Sequence, residues 1–465
     1  MEEKTMNFDA LNARLTAIGQ QHVLRYWNDL DDAGKQQLSA QLEKIDLESL
    51  PALVDAYVLN RPKTEIPADL EPAQYFPKTP RDDAPKALYD RAKAHGEALF
   101  RAGKIAALTV AGGQGTRLGF DGPKGTYPIG PVSGKSLFAY FAETLLFAGK
   151  KYGKPITWYI MTSLLNHNAT VAFFRENNFF GLAEDQVFFF SQGTMPAFGT
   201  DGKLLLGARD SLSLSPDGHG GTLLALRRSG AIDRMQKEGT EILSYFQVDN
   251  PLAPAIHPLF AGLHDLEGSE MSAIMLAKTG PFEKLGNFCV SGGRTSIIEY
   301  SDLPADLAES RNPDGSLRFL CGSPAIHLLN RAFVERLTEG GKLQLPWHRA
   351  DKKVPYLDEN GTLIQPEEPN AVKLESFIFD AMPLAERTML LEGDRETMFA
   401  PTKNKTGVDS AESCRAMILA RDAQRLADAG FVLPQGARIE LSPLAGMEKE
   451  DLLAYFREHA PEGAW

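Results

Sequence analysis

The sequence predicts an α/β fold: a mostly parallel, mixed sheet with helices on both faces, a helical N-terminal region and a small C-terminal domain. Three observations predict it. From Ile105 onward, apolar runs alternate with helix-like segments, which is typical of a sheet covered on both sides. Before that point, apolar residues recur at helical spacing. From about Arg395 the alternation stops.

The first hundred residues are predicted to be largely helical. The positions that recur at helical spacing in the first pattern are Phe8, Leu11, Leu15, Ile18, His22, Val23 and Tyr26. A second helix is indicated by Leu38, Leu42, Ile45 and Leu47. Prolines at positions 62, 67, 72, 77, 80 and 85 then mark a linker-like segment, and a helix follows from Pro85 to Ala102.

The central part of the chain contains six predicted strands. They are Ile105–Val110, Ile156–Thr162, Val187–Phe190, Ile242–Val248, Met271–Leu276 and Ser296–Tyr300. Helices are predicted between them, at Ser136–Ala148 and Asn166–Glu176. Because ligands of such sheets bind at the carboxyl ends of strands, residues that follow Val110 and Val248 are expected to line one crevice.

The tail is predicted to form a small domain with Val432, Ile439 and Leu441 in it and a last helix near Lys449–His459. We therefore predict three segments. They are a helical N-terminal region at 1–100, a central α/β domain at 101–394, and the small domain at 395–465. Neither an internal repeat nor a low-complexity tract is found in the sequence.

Composition narrows the class of protein. The 465 residues are 43% hydrophobic and 24% charged, which is ordinary for a globular protein. The net charge of −12 argues against nonspecific binding of nucleic acid. Three cysteines without a C-x-x-C pair predict neither a disulfide framework nor a zinc site. A polar, acidic start and the lack of a long apolar stretch predict a cytoplasmic protein without a membrane anchor.

A glycine-rich loop after the first predicted strand is the most informative motif. It contains Gly112, Gly113, Gly115 and Gly119, with Arg117 inside it and Lys124 shortly after it. Glycines let backbone N–H groups come close to phosphate oxygens, and the two cations add positive charge. The loop therefore predicts a site for a nucleoside triphosphate.

The spacing of the glycines separates this loop from two better-known ones. Gly113, Gly115 and Gly119 give G-x-G-x-x-x-G, one residue longer than the dinucleotide fingerprint. Gly130, Gly134, Lys135 and Ser136 fall one residue short of a P-loop. A plain glycine turn is the remaining alternative, but it does not account for the two cations.

The loop resembles the signature of the eukaryotic-type UDP-sugar pyrophosphorylases, and the UDP-N-acetylglucosamine pyrophosphorylases are the most similar branch. Further blocks match the family in order along nearly the whole chain. They are Gln20–Trp27, Ser215–Gly221, Tyr245–Asn250, Ile298–Ser301, Val372–Asp380 and Ala400–Asn404. The resemblance implies a Rossmann-like nucleotidyltransferase fold, with 101–394 as the catalytic domain that binds the nucleotide-sugar.

The resemblance also implies the reaction, in which UTP and a sugar 1-phosphate give a UDP-sugar and pyrophosphate. An ionised oxygen of the sugar phosphate attacks the α-phosphorus of UTP, so no side chain has to remove a proton. Catalysis then consists of positioning and of charge stabilisation. Arg117 is predicted to hold the β- and γ-phosphates, Lys124 the α-phosphate, and Lys403 and Lys373 further phosphate oxygens. Asp249 is predicted to bind Mg²⁺, the expected cofactor.

The remaining substrate contacts follow from the same resemblance. For uracil and its nucleoside they are Gly112, Gly113, Gln192 and Gly218. For the sugar they are His219, Gly286, Glu299 and Ser323. The family's N-acetylglucosamine enzymes usually have Asn at the positions of His219 and Ser323, and its glucose-type members usually have His at the first. The sugar is therefore left open between N-acetylglucosamine 1-phosphate, which we favour, and glucose or galactose 1-phosphate.

Two other functions stay open as alternatives. A non-catalytic regulator that binds sugar nucleotides would be expected to lack one of the cations or the carboxylate, yet Arg117, Lys124, Asp249 and Lys403 are all present. An NAD-dependent oxidoreductase disagrees with the glycine spacing. The expected partners are UTP, the sugar 1-phosphate, the UDP-sugar and pyrophosphate, with no nucleic acid and no membrane; the oligomeric state is left open.

Overall fold

The computed structural model describes residues 8–61, 66–80 and 82–459, which form two compact units. The first unit contains the described residues before 66 together with 193–221 and 345–378. The second contains those of 66–192, 222–344 and 379–459. The units therefore group residues differently from the three consecutive segments that the sequence predicts. The first seven residues and Pro62, used in the sequence analysis, lie outside the described residues.

The second unit is built on an eleven-stranded mixed sheet, which confirms the predicted α/β class with a mixed sheet. Its parallel part runs in the order Val187–Ser191, Trp158–Thr162, Ile105–Val110 and Ile242–Gln247. These strands are nearly continuous apolar runs, as expected of strands buried on both faces. Val110 pairs with Gln247, so the loops that follow these two strands leave the sheet side by side.

The rest of this sheet is largely antiparallel, a larger share than the prediction of a mostly parallel sheet allows. Among the described residues, only one further pair of strands there is parallel, Met271–Ala277 with Thr388–Glu392, next to an isolated parallel bridge between Phe76 and Leu391. The other strands are Glu71–Pro72, Gly286–Ser291, Arg294–Ile298, Cys321–Ser323 and His327–Asn330. A two-glycine turn at Gly292 and Gly293 joins two of them directly, without the crossover helix that parallel pairing needs.

Helices flank this sheet. They are Asp83–Arg101, Leu137–Tyr152, His167–Glu176, Thr222–Arg228, Ala231–Glu238, Pro258–Leu266, Ala305–Glu309, Arg331–Leu337, Arg395–Met398, Ala411–Asp428 and Lys449–His459. The helix at Leu137–Tyr152 begins where the Ser136 hydroxyl accepts a bond from the Ala139 N–H, and it ends at Gly153, whose φ is 74°. Its buried face carries Phe138 and Phe141, which pack on Trp158 of the sheet.

The first unit combines short helices with small sheets. Its helices are Phe8–Ala17, Asp32–Glu43 and Leu50–Leu53, followed by a π-helical turn at Val54–Leu59. Its strands are Thr194–Pro196, Phe198–Gly199, Leu206–Ala208, Ser211–Leu212, Leu214–Pro216, His348–Lys352, Tyr356–Leu357, Leu363–Ile364 and Ala371–Glu375. A core of its own, which includes Leu11, Leu38 and Val372, joins the helices to the strands.

The predicted elements are found with small shifts of their ends. The predicted first helical pattern is too long, because the helix stops at Ala17, ahead of Gly19 with φ 69°, and Gln21–Leu24 is a 3-10 turn. The strand predicted at Ser296–Tyr300 spans Arg294–Ile298. The last helix has the predicted bounds, Lys449–His459.

Candidate active site

The glycine-rich loop of the second unit is fixed by its own backbone. The Lys124 N–H donates to the Gly113 carbonyl at 3.0 Å, and the Gly115 N–H donates to the Gly122 carbonyl at 2.9 Å. Between these bonds the chain makes a 3-10 turn over Thr116–Leu118. The N–H groups of Gly112 and Gly113 have no acceptor among the residues that the structure describes. Those two donors can therefore bind an anion.

Two kinds of glycine occur in this loop. A Cβ at Gly115 would lie 2.7 Å from the Phe120 ring, and one at Gly125 would lie 2.2 Å from the Phe138 ring, so packing requires both glycines. Gly113 is exposed, and a Cβ there would meet nothing closer than the Lys124 side chain at 3.9 Å. Packing therefore leaves room for a side chain at Gly113, so packing does not explain why this residue is a glycine.

A buried asparagine that the sequence analysis did not single out forms hydrogen bonds with the backbone of the loop. The Asn166 amide group donates to the carbonyls of Ala111 and Gly113, at 2.9 and 3.3 Å. Its oxygen accepts from the Ser163 N–H at 2.8 Å. Asn166 is fully buried, so these bonds are shielded from water. Its position just before a helix was the only available signal in the sequence.

The structure brings the predicted carboxylate and one predicted cation together. The Lys124 ammonium lies 3.3 Å from Asp249 Oδ2, and both side chains are largely buried. Arg117 is exposed on the same loop and forms no ion pair with any described residue. An unpaired guanidinium beside open backbone N–H groups is suited to a polyphosphate.

A second asparagine connects the strand end at Asp249 to the segment that carries Lys403. The Asn250 amide donates to the Met398 carbonyl at 2.8 Å, and its oxygen accepts from the Ala400 N–H at 2.9 Å. The Thr402 N–H in turn donates to the Asp249 carbonyl at 2.8 Å. Lys403 is therefore held next to Asp249, although 154 positions of sequence separate them.

The Lys403 ammonium lies 3.9 Å from Asp409 Oδ2, with about a third of each side chain exposed. Burial raises the pKa of the Asp409 carboxyl, and the charge of Lys403 opposes that rise. At this distance the pair is loose, so Lys403 can turn toward an incoming anion.

Gln192 lies at the end of the neighbouring strand Val187–Ser191. Its N–H donates to the Thr162 carbonyl at 2.7 Å, and its amide oxygen lies 3.1 Å from the point that a Cβ on Gly112 would occupy. The predicted contacts Gly112 and Gln192 are therefore neighbours. A planar base bound here would contact the Gln192 amide and the backbone N–H groups of Gly112 and Gly113.

Three predicted sugar contacts also lie together, in the antiparallel part of the sheet. Gly286 pairs with Ser323 across neighbouring strands. A Cβ at Gly286 would lie 3.6 Å from Glu299 Oε1, and 2.6 Å from the Ile297 side chain. The Ser323 hydroxyl accepts from the Ala325 N–H at 3.4 Å. The group therefore presents one carboxylate and one short hydroxyl side chain.

Gly218 and His219 belong to the first unit. Gly218 has φ 85°, and a Cβ there would lie 2.2 Å from the Ser376 carbonyl oxygen, so its glycine is required by the protein backbone. His219 Nδ1 accepts from the Ile378 N–H at 3.2 Å, and the ring stacks on Phe377. Burial lowers the pKa of His219 to about 4, so the imidazole is neutral at pH 7.

One more predicted residue, Lys373, and one residue that was not predicted, Asp217, belong to the first unit. Lys373 lies in the strand Ala371–Glu375, half-buried, paired across the strands with Ala350. The sequence analysis did not assign Asp217, whose carboxylate is enclosed by glycines. A Cβ at Gly193 would lie 2.2 Å from one of its oxygens, and a Cβ at Gly221 would lie 2.1 Å from the other. The pattern of glycines on both sides of an aspartate was a signal for such a tight loop.

The residues that could hold a metal ion are few. No group of three His, Cys, Asp or Glu side chains suited to a metal occurs among the described residues. Asp249 offers Oδ1, which has no hydrogen-bond partner in the described part of the chain, while Oδ2 faces Lys124. One carboxylate oxygen suits Mg²⁺ that takes its other ligands from substrate phosphates and water.

Comparison with known proteins gives a consistent family. Residues 72–436 match the family model described as UTP–glucose-1-phosphate uridylyltransferase. The chain is 34% identical to the human UDP-N-acetylhexosamine pyrophosphorylase-like protein 1, over 96% of this chain and 94% of that protein. It is 33% identical to the UDP-N-acetylglucosamine pyrophosphorylase of Saccharomyces cerevisiae, over 93% and 94% of the two chains.

Solved structures of other proteins show a similar fold. The uridine diphosphate N-acetylglucosamine pyrophosphorylase of Trypanosoma brucei superposes with a TM-score of 0.83 at 25% identity, over 97% of this chain and 95% of that one. A UDP-glucose pyrophosphorylase of Leishmania major has a TM-score of 0.61 at 17% identity, over 91% and 82% of the chains, and shows the fold alone. In the part of the chain that the structure describes, every helix is too short or too polar to cross a bilayer.

Proposed function

This chain belongs to the UTP–glucose-1-phosphate uridylyltransferase family, and from that membership we propose that it transfers the uridylyl group of UTP to a sugar 1-phosphate. The products are a UDP-sugar and pyrophosphate. The observation that carries the proposal is the arrangement around the glycine loop. There, backbone N–H groups and an arginine without a partner among the described residues, together with a lysine beside a carboxylate, lie at the carboxyl ends of adjacent parallel strands.

The chemistry needs no general base. A phosphate oxygen of the sugar 1-phosphate is already ionised at neutral pH and attacks the α-phosphorus of UTP, from which pyrophosphate leaves. The difficulty is to bring several negative charges together. We assign Arg117 to the β- and γ-phosphates, Lys124 to the α-phosphate, and Lys403 to a further phosphate oxygen.

Asp249 is the residue that we assign to Mg²⁺. Bound there, the ion would offset negative charge on the phosphates. The residues support this assignment through the open Oδ1 of a largely buried carboxylate. Lys124, 3.3 Å from Oδ2, orients that carboxylate.

For the base and the sugar we assign groups of residues rather than individual contacts. Gly112, Gly113 and Gln192 are proposed to contact uracil, while Gly286, Glu299 and Ser323 contact the sugar. For Gly218, His219 and Lys373 a role in substrate binding remains a prediction from the family resemblance.

For the sugar we favour N-acetylglucosamine 1-phosphate, because relatives named for N-acetylglucosamine or N-acetylhexosamine match nearly the full length of the chain. The short Ser323 and the buried His219 are the features that favour glucose or galactose 1-phosphate instead. The alternative is therefore a UTP–hexose-1-phosphate uridylyltransferase of wider specificity.

The test is a panel of sugar 1-phosphates, each with UTP, ATP, GTP or dTTP, followed by pyrophosphate release. We expect UTP with N-acetylglucosamine 1-phosphate to give the highest kcat/KM. Ser323→Asn should raise the preference for the acetamido sugar over glucose 1-phosphate, since it adds an amide at the sugar contacts. A preference for glucose 1-phosphate that Ser323→Asn leaves unchanged would contradict both assignments.

A further inference from the structure

A second cavity lies in the same unit as the glycine loop and shares no residue with it. Its volume is about 370 Å³. Its walls come from the segment 251–258 that follows Asp249 and Asn250, from Thr397 and Met398, from two long helices, and from residues 443–448. Neither the proposed reaction nor the family comparison gives it a role.

Two arginines on one helix reach this cavity. Arg421 and Arg425 are four positions apart on Ala411–Asp428, so they lie on the same helix face. Arg421 pairs with Asp422 at 2.8 Å, and the other oxygen of Asp422 accepts from the Leu441 N–H at 2.8 Å. Both oxygens of this buried carboxylate are thus already in use.

Arg425 has no carboxylate within ion-pair distance in the described part of the chain. Its guanidinium donates to the Gly446 carbonyl at 2.5 Å, and it forms no ion pair with any residue that the structure describes. A guanidinium has five N–H donors, so most of them remain available. Asp422 and Asp451 lie farther away, and their charges oppose the lowering of the Arg425 pKa by burial.

The other charged groups near the cavity already have partners, and Asp451 pairs with Lys151 at 2.8 Å. Glu448 pairs with Lys93 at 2.8 Å and with Lys151 at 3.6 Å. The Tyr140 hydroxyl donates to Glu440. His257 Nδ1 accepts from the Phe260 N–H, and burial lowers the pKa of His257 to about 4, so this ring is neutral. Among the residues that the structure describes, Arg425 is therefore the cation of this cavity that no carboxylate contacts directly.

The remaining wall is mostly apolar, with Leu252, Ile256, Met398 and Met447 among its side chains. A cavity with apolar walls and a few convergent polar groups is typical of a small-molecule site. We propose that this cavity binds a small organic anion, with a carboxylate or phosphate monoester on Arg421 and Arg425 and an apolar body against these side chains.

The position of the cavity also implies a link to the glycine-loop site. Pro251 in its wall directly follows Asn250, and the Met398 carbonyl accepts from the Asn250 amide. A ligand that orders these walls therefore acts on the same asparagine that holds Asp249 and the Lys403 segment. This link rests on the proposed function, whereas binding of the anion does not.

Binding can be measured with three probes that share one ring: phenyl phosphate, benzoate and uncharged benzyl alcohol. Isothermal titration should show binding of at least one of the two anions, and the stronger one identifies the head group. Benzyl alcohol should bind at least tenfold more weakly. Equal affinity of the alcohol and both anions would overturn the proposal.

Substitutions in the cavity and elsewhere show where the probe binds. Arg425→Met, which removes the unpaired cation, and Thr144→Leu, which fills the cavity and removes only a bond within its own helix, should each weaken the anion at least tenfold. Arg457→Met, an exposed arginine on the last helix, should leave affinity unchanged. Arg117→Ala should also leave it unchanged; loss of binding there, with Thr144→Leu unaffected, would place the probe at the glycine loop and overturn the proposal.

The link is tested by titrating the probe with and without Mg²⁺ and UTP. By reciprocity, the factor by which UTP changes probe affinity equals the factor by which the probe changes UTP affinity. We expect at least a threefold change. An unchanged affinity, with UTP binding shown in the same sample, would remove the link but not the site; absent UTP binding would count against the proposed function alone.

Discussion

Lys124 and Asp249 lie 125 positions apart in sequence, and their ion pair is the clearest residue-scale outcome of the sequence analysis. The residue types were predictable because phosphate and metal chemistry require cations and a carboxylate. Their pairing was predictable only through the rule that strand ends meet at one edge of a parallel sheet. Asn166 and Asn250 were not predicted as site residues, since an asparagine that bonds distant carbonyls has the same local pattern as one in a turn.

At Arg117, replacement by alanine should lower kcat/KM for pyrophosphate release on the order of a hundredfold or more. The side chain is exposed and has no ion pair with a described residue, so the thermal unfolding midpoint should not change. Arg457→Ala removes the same charge elsewhere on the surface and should keep full activity. Near-normal activity of Arg117→Ala would refute its role.

At Asp249, replacement by asparagine should weaken the response to magnesium. The amide keeps the size of the side chain but loses the charge that holds a cation, so the Mg²⁺ concentration for half-maximal activity should rise about tenfold or more. Mn²⁺ binding in the presence of UTP, followed by electron paramagnetic resonance, gives a readout that does not depend on turnover. Unchanged Mn²⁺ affinity would assign the metal to other ligands.

At the scale of elements, the strands and long helices of the second unit could be predicted because their apolar patterns are local. The strand at Ile105–Val110 and the helix at Lys449–His459 have the predicted bounds. The short strands at Cys321–Ser323 and His327–Asn330 could not be predicted, because three or four residues are too few to show a period. Their places in the sheet come from partners distant in sequence.

The connection between the Asp249 strand end and the Lys403 segment depends on one side chain. Asn250→Ala removes bonds to Met398 and Ala400 in a buried position and should lower the free energy of unfolding by about 2–4 kcal/mol. It should also lower kcat, because Lys403 loses its support. Urea unfolding and pyrophosphate release measure the two effects.

A matched control is Asn177→Ala, which removes a single exposed bond to the Phe173 carbonyl, also 2.8 Å long. It should change the free energy of unfolding by less than about 1 kcal/mol and leave kcat unchanged. If Asn250→Ala behaved like this control, the connection would not be what positions Lys403.

At the scale of the whole molecule, the chain passes between two units several times. Sequence composition changes slowly along the chain and cannot reveal such an exchange, so the predicted segments 1–100, 101–394 and 395–465 are consecutive. The short strands at 194–216 and at 348–375 show the difficulty, because they lie far apart in sequence and belong to the same unit. Which residues share a core is a tertiary property.

The stability of the molecule should depend on pH through its buried histidines. His264 is fully buried, bonded to Ser272 and Asn330, and burial lowers its pKa to about 4. In the unfolded chain it binds a proton near pH 6.5, so between pH 6.5 and 4 the unfolded state holds more protons. Its stabilising contribution is complete above pH 6.5 and falls by up to about 1.4 kcal/mol per pH unit as the pH drops.

Urea unfolding of the wild type and of His264→Gln at pH 7.5 and at pH 5.0 isolates this effect. The wild type should lose more free energy of unfolding between the two pH values than the variant, whose amide does not titrate. Equal losses would show that His264 does not control the acid sensitivity.

The central claim is that the glycine loop, with Arg117, Lys124 and Asp249, binds UTP for uridylyl transfer to a sugar 1-phosphate. The most direct measurement mixes the purified protein with UTP, N-acetylglucosamine 1-phosphate and Mg²⁺ and follows pyrophosphate and the UDP-sugar together. We predict that both form in equal amounts and that EDTA abolishes them. Absence of pyrophosphate with N-acetylglucosamine, glucose and galactose 1-phosphates alike, from folded protein, would contradict the claim.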